Sequence, residues 1–86
     1  MFRVRLAPQA DRFYREADRP LAKKLAKCFR QLERDPRRHN NIKPLKGKLA
    51  GFYRYRVGDY RLVYSIDDPR LLAIVALIAH RRDVYE

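Results

Sequence analysis

Between Val57 and Tyr60 the chain has only two residues, Gly58 and Asp59, and on either side apolar or aromatic side chains alternate with charged ones. A Gly-led two-residue connection between alternating segments is a strong short-range signal for a β-hairpin, and it fixes the register of the strands it joins. Val57 then faces Tyr60, Arg56 faces Arg61, Tyr55 faces Leu62 and Arg54 faces Val63. Directly opposite residues share a face of the sheet. Tyr53, Tyr55, Val57, Tyr60, Leu62 and Tyr64 therefore line one face, which has to be the buried one. Arg54, Arg56 and Arg61 line the other. Any fold for this chain must cover the first face and tolerate three guanidinium groups on the second.

The remaining elements follow from periodicity. Phe2, Val4 and Leu6 alternate with Arg3 and Arg5, so residues 2–6 read as a half-buried strand. Pro8 suits the first turn of a helix, and Ala10, Phe13, Tyr14 and Ala17 recur at three and four, which predicts a helix from about Pro8 to Ala17. Asp18 and Pro20 restart the chain. Leu21, Leu25, Cys28, Phe29 and Leu32 form the stripe of a second helix, with Lys23, Lys24, Lys27, Arg30 and Arg34 on its remaining faces, and Asp35-Pro36 ends it. Cys28 belongs to that apolar stripe and reads as core. Residues 37–51 are a polar, turn-rich connection with room for a short edge strand at Lys43–Lys46. After the turn Asp67-Asp68-Pro69-Arg70, residues 71–79 are almost continuously apolar, as in an interior strand covered on both faces, and β-branched Ile74, Val75 and Ile78 favour strand over helix. The expected architecture is one α+β domain over residues 1–86, of order β-α-α-β-β-β, with a two-helix hairpin on one face of a mainly antiparallel sheet.

Charge narrows the function. The 86 residues carry 21 Lys and Arg against 10 Asp and Glu, a formal charge of +11. Such a surface points to nucleic acid, an acidic protein or a membrane surface as partner and opposes self-association, so the free chain is expected to be monomeric. No apolar run is long enough for a membrane span. One cysteine makes no internal disulfide, two distant histidines make no metal site, and no secretory signal opens the chain, so a cytoplasmic protein without metal or cofactor is expected. Residues 37–61 concentrate the charge: Arg37, Arg38, Lys43, Lys46, Lys48, Arg54, Arg56 and Arg61 stand against Asp59 alone. Arg56 opposite Arg61 is a destabilising arrangement that a bound phosphate would convert into charge-assisted hydrogen bonds. The interior strand points back toward the hairpin turn and delivers His80-Arg81-Arg82-Asp83-Val84-Tyr85-Glu86 beside the same arginines. An imidazole suits proton transfer, a tyrosine can stack on a base, and arginines can hold a scissile phosphate.

Three segments, Leu45-Lys46-Gly47, the block Tyr53-Arg54-Tyr55-Arg56-Val57-Gly58-Asp59-Tyr60-Arg61-Leu62-Val63-Tyr64, and the ending His80-Arg81-Arg82-Asp83-Val84-Tyr85, together resemble the RelE/ParE superfamily of toxins. The resemblance implies a compact ribonuclease-like α+β fold and a smaller acidic, RelB-like antitoxin as partner. For a RelE-type member it further implies entry into the ribosomal A site and cleavage of mRNA there by attack of a 2′-hydroxyl on the adjacent phosphate, without a metal. By the same resemblance Arg54 and Arg56 stand at the functional cations of the second strand, Arg61 at the phosphate-binding arginine, Arg81 at the late arginine and Tyr85 at the terminal tyrosine. Lys46, Lys48, Arg37, Arg38 and Arg82 are candidate contacts to mRNA or ribosomal RNA. The best-known RelE branch has lysines at the second-strand positions. Arginine stays protonated and makes a poor general base, which leaves His80 as the candidate acid or base. The helix that RelE carries after its terminal tyrosine has no counterpart before Glu86. Two alternatives stay open, a ParE-like inhibitor of DNA gyrase and a non-catalytic domain that binds nucleic acid or its antitoxin.

Overall fold

The computed structural model describes residues 1–83. Tyr85 therefore lies outside the described residues. The chain forms β1 (Arg3–Leu6), α1 (Pro8–Glu16), α2 (Arg19–Arg34), β2 (Ile42–Pro44), β3 (Phe52–Val57), β4 (Tyr60–Asp67) and β5 (Leu72–His80), with short 3-10 turns at Gly47–Leu49 and Arg81–Asp83. The sheet runs β1-β5-β4-β3-β2. Among the described residues only β1 pairs in parallel, with β5, and the other three pairings are antiparallel. The edge strand expected near Lys43–Lys46 begins one residue earlier, at Ile42, and is the fifth strand of the sheet. No described helix is long and apolar enough to cross a membrane.

Each helix starts where the sequence places a stop for the preceding segment. Pro stands in the first turn of α1. In α2 the Asp18 carboxylate accepts from the Leu21 N–H at 2.9 Å, which satisfies an otherwise unpaired donor of the first turn. Leu25, Cys28 and Leu32 of α2 and Ala10 of α1 pack onto Tyr55, Leu62, Tyr64, Ala73, Val75 and Ile78 to make the core. Cys28 is thus core, as its place in the stripe predicts. Burial pushes its pKa up to about 11, so it stays a protonated thiol.

The hairpin register is the one that the two-residue turn dictates, with Val57 opposite Tyr60 and Arg56 opposite Arg61. Gly58 has φ +58° while Asp59 does not adopt positive φ, the pattern a type II′ turn requires and the reason the first turn residue is glycine. On the next strand pair the alternation breaks. Val63 pairs with Leu77 but Tyr64 pairs with Val75, so Ala76 is an extra residue on β5. The bulge reverses which side chains face the helices: Ala73 and Val75 do so before it, and Ile78 and His80 after it.

At the far end from the hairpin the connections lock together. The Arg37 guanidinium donates to both carboxylate oxygens of Asp68, at 3.0 and 2.7 Å, and its Nε donates to the Tyr53 hydroxyl. The Tyr64 hydroxyl donates to the carbonyl of Pro36. Arg37 holds the Asp68 carboxyl below its usual range. The unfolded chain therefore takes up that proton first, so the pair contributes stability above the ordinary carboxylate range and loses it as pH falls through the depressed folded value. Asp68→Asn is expected to melt below the parent near about pH 7, with the gap closing toward about pH 2 in thermal scans. An equal gap at both ends would remove the pair from the account.

Candidate active site

The face of the sheet turned away from the helices is laid out by the pairings. At the hairpin end Arg56 lies opposite Arg61, and Arg61 opposite Ala79. The next row is Lys43, Arg54, Val63 and Leu77, since Lys43 pairs with Arg54 across β2 and β3. Three arginines from β3 and β4 and one lysine from β2 thus converge on one surface. Lys43 belongs to the basic stretch of the sequence, whose local pattern does not place it beside the arginines. Only the register of the edge strand reveals it, because that strand is three residues long and ends in Pro44.

The cations differ in their surroundings. Arg56 is exposed and Arg61 half-buried. Arg54 is 8% exposed, so it does not splay into water as a surface strand residue would. Burial, then the charge of Arg56, pulls its pKa below the ordinary value. Arg61 is pulled down in the same way, first by burial and then by the charges of Arg54, Arg56 and Arg81. Arg81 is therefore electrostatically part of the same group. Its N–H donates to the carbonyl of Asp59 at 2.7 Å, and its Nε lies 3.8 Å from the Asp59 carboxylate, so the residue after β5 is pinned to the hairpin turn. An ion pair this exposed contributes little by itself, and the main-chain bond is the anchor.

Not all predicted site residues join this group. His80 lies opposite Tyr60 on the helix side, with its ring edge-on to Tyr60 at 5.2 Å and its Nδ1 accepting from the Arg82 N–H. The bulge at Ala76 puts it there, on the face opposite to Arg54, Arg56 and Arg61. Arg37 bonds Asp68 and Tyr53 at the other end of the sheet, away from the arginine group. Arg38 is exposed in the same loop, its main chain held by Asp35 and Gln31. Lys46 and Lys48 are exposed around the turn before β3, beyond Phe52 and away from the hairpin, and Arg82 is exposed beside Arg81. The tyrosines of β3 and β4 all face the helices, so none of them stacks a ligand on the open face. Among the described residues no three His, Cys, Asp or Glu side chains converge to hold a metal ion.

A two-helix hairpin behind a five-stranded sheet with a cationic open face has close counterparts. A chain of the toxin–antitoxin complex RelBE2 from Mycobacterium tuberculosis superimposes with a TM-score of 0.80 at 30% identity, covering 93% of this chain and 98% of that one. Toxin RelG of the same organism is 41% identical over 58 residues, a segment that is 67% of this chain and 64% of RelG. Toxin YoeB of Streptomyces coelicolor is 35% identical over 63 residues, 71% of this chain and 75% of YoeB. Residues 4–85 match the model of the ParE toxin of type II toxin–antitoxin systems, parDE. The chain belongs to this ParE toxin family and is a type II toxin of the RelE/YoeB kind.

Like charges directly opposite in a sheet cost a few tenths to ~1 kcal/mol. Arg56→Gln is therefore expected to raise stability by about that amount at low ionic strength, with the gain fading as salt shortens the screening length to about 3 Å near 1 M. Inorganic phosphate should raise the melting temperature of the parent more than that of the variant. A variant no more stable than the parent at any salt would contradict the arrangement.

Proposed function

We propose that the protein is a ribosome-dependent endoribonuclease that cuts mRNA in the A site, acts in the cytoplasm to inhibit translation, and is restrained by an acidic antitoxin. The observation that carries this reading is the convergence of Arg54, Arg56 and Arg61 on one sheet face with Arg81 pinned at its end. A phosphodiester seated there meets fixed donors whose mutual repulsion it relieves. As the 2′-hydroxyl oxygen bonds to phosphorus, the bond to the 5′-oxygen breaks. The products are a 2′,3′-cyclic phosphate and a 5′-hydroxyl. The attacking group gives up its proton to solvent and the departing oxygen takes one back. Charge builds on the non-bridging oxygens, and preorganised cations that already stand there stabilise it without reorganising. Arg61 and Arg81 are assigned to that phosphate, Arg54 and Arg56 to the same strand, and Tyr85 to stacking on a base. His80, facing the helices, is not given the role of general base. No metal is required by these steps.

Toe-printing on translating ribosomes tests the reading, with a gyrase supercoiling assay in parallel. A-site cleavage with gyrase unaffected is expected, whereas gyrase inhibition without cleavage would select the ParE-like alternative. Arg61→Ala and Arg81→Ala should each lose on the order of a hundredfold or more in cleavage, the scale of removing one positioned donor, with unchanged circular dichroism. If both cleave like the parent, the arginine assignment is wrong.

The antitoxin follows from charge and kinship. The similar RelBE2 structure is itself a toxin–antitoxin complex, and a chain of formal charge +11 is complementary to an acidic partner. Co-expression with a small acidic antitoxin encoded beside it should yield a complex that withstands purification and relieves growth arrest, and the lack of any such adjacent reading frame would count against the pair. A chain harmless when expressed alone would count against the pair.

A further inference from the structure

One aromatic ring does lie on the open face. Tyr53 stacks on Tyr64 with ring centres 5.7 Å apart, Tyr55 lies against His39, and Tyr60 against Phe13 and His80, all on the helix side. Phe52 pairs with Ser65, one step out of phase with the Tyr53–Tyr64 pair, so its ring shares the face of Arg54 and Arg56. It is half-buried, and among the described residues it enters none of these ring pairs. Arg54 follows two residues along the same strand, about 6.6–6.8 Å away by strand rise.

The surroundings of Phe52 suit a nucleobase. The Leu45 N–H donates to the Phe52 carbonyl at 2.9 Å, and Leu45 with Lys43, Pro44, Arg54 and Arg56 lines a shallow cleft of about 330 Å³. Across the sheet Phe52 is flanked by Ser65 and then Ile74, both uncharged. From the hairpin outward the face reads as an arginine pair, then Arg54 with Lys43, then an aromatic ring beside apolar side chains. A single strand whose phosphates follow the cations presents its bases to that ring, and stacking on an aromatic side chain accepts every base while favouring those that stack more strongly, which gives a modest base preference at that position.

We propose that Phe52 is the stacking platform for a nucleotide adjacent to the one that is cut, a positioning residue for the strand on the open face. The proposal rests on the ribonuclease reading above and adds a base-binding position to it. The partner chemistry is single-stranded RNA, with the base on Phe52 and Leu45 and the flanking phosphates on Arg54 and Lys43.

The test compares Phe52→Leu, which keeps apolar bulk without a π-face, with Phe52→Trp, which enlarges it. Each is assayed on translating ribosomes with an mRNA pool, mapping the new 5′ ends, alongside thermal melting. Phe52→Leu is expected to lose about 5- to 150-fold in cleavage and to flatten the base preference at one position beside the cut. Phe52→Trp should cleave at least as well as Phe52→Leu and restore a preference there. A purely structural role would follow melting temperature and leave the sequence profile unchanged. Parent-like cleavage by Phe52→Leu, or an unchanged profile in both variants, overturns the proposal while the ribonuclease reading stands. A parent that does not cleave on the ribosome overturns both.

Discussion

The register of the β3–β4 hairpin is the constraint on which the rest of the molecule depends. Side chains alternate with period two, so a slip of one residue would turn Arg54, Arg56 and Arg61 into the core and carry Tyr55, Leu62 and Tyr64 out of it. Burying unpaired guanidinium groups costs far more than any turn can supply, so the pattern and the turn enforce one alignment. Gly58 completes it by adopting the positive φ that a II′ turn needs. The helices pack on the tyrosine face because it is apolar. The cations gather on the other face because nothing else can be done with them. The same register thus builds the core and the candidate site.

What the fold adds is depth and closure. Arg54 lies in the middle of the sheet, between the edge strand and β4, and is screened from water while its neighbours are cations. Burial and the charge of Arg56 both lower its pKa, so its setting differs from that of an exposed surface arginine. The 3-10 turn after β5 then fastens Arg81 to the hairpin through Asp59. The opposite end of the sheet is held by Arg37, Asp68 and Tyr53, so the two basic loops that look alike in sequence do different work. One is a clasp within the fold and the other is held at the hairpin end of the open cationic face.

Much of this was legible from residue order. The two helices, the hairpin, the opposition of Arg56 and Arg61 and the interior strand all follow from periodicity and turn chemistry, which are local. The misses are non-local. Ala76 inserts one residue into β5, and only its pairing with β4 shows that His80 is carried to the helix face. Arg37 finds Asp68 across 31 positions of sequence, a contact that local patterns do not encode. Lys43 joins the site through an edge strand too short to show alternation. Phe52 stands at a strand end next to Tyr53, where composition alone does not separate a core aromatic from an open-face one.

The most direct measurement of the central claim is a structure of the protein on a translating ribosome whose A-site mRNA carries 2′-methoxy groups, which block the attacking oxygen. The open sheet face should be turned to the mRNA, with the phosphate at the cut position within hydrogen-bonding distance of the Arg61 and Arg81 guanidinium groups. A complex in which the helices face the mRNA, or in which that phosphate is held away from both arginines, would contradict that claim.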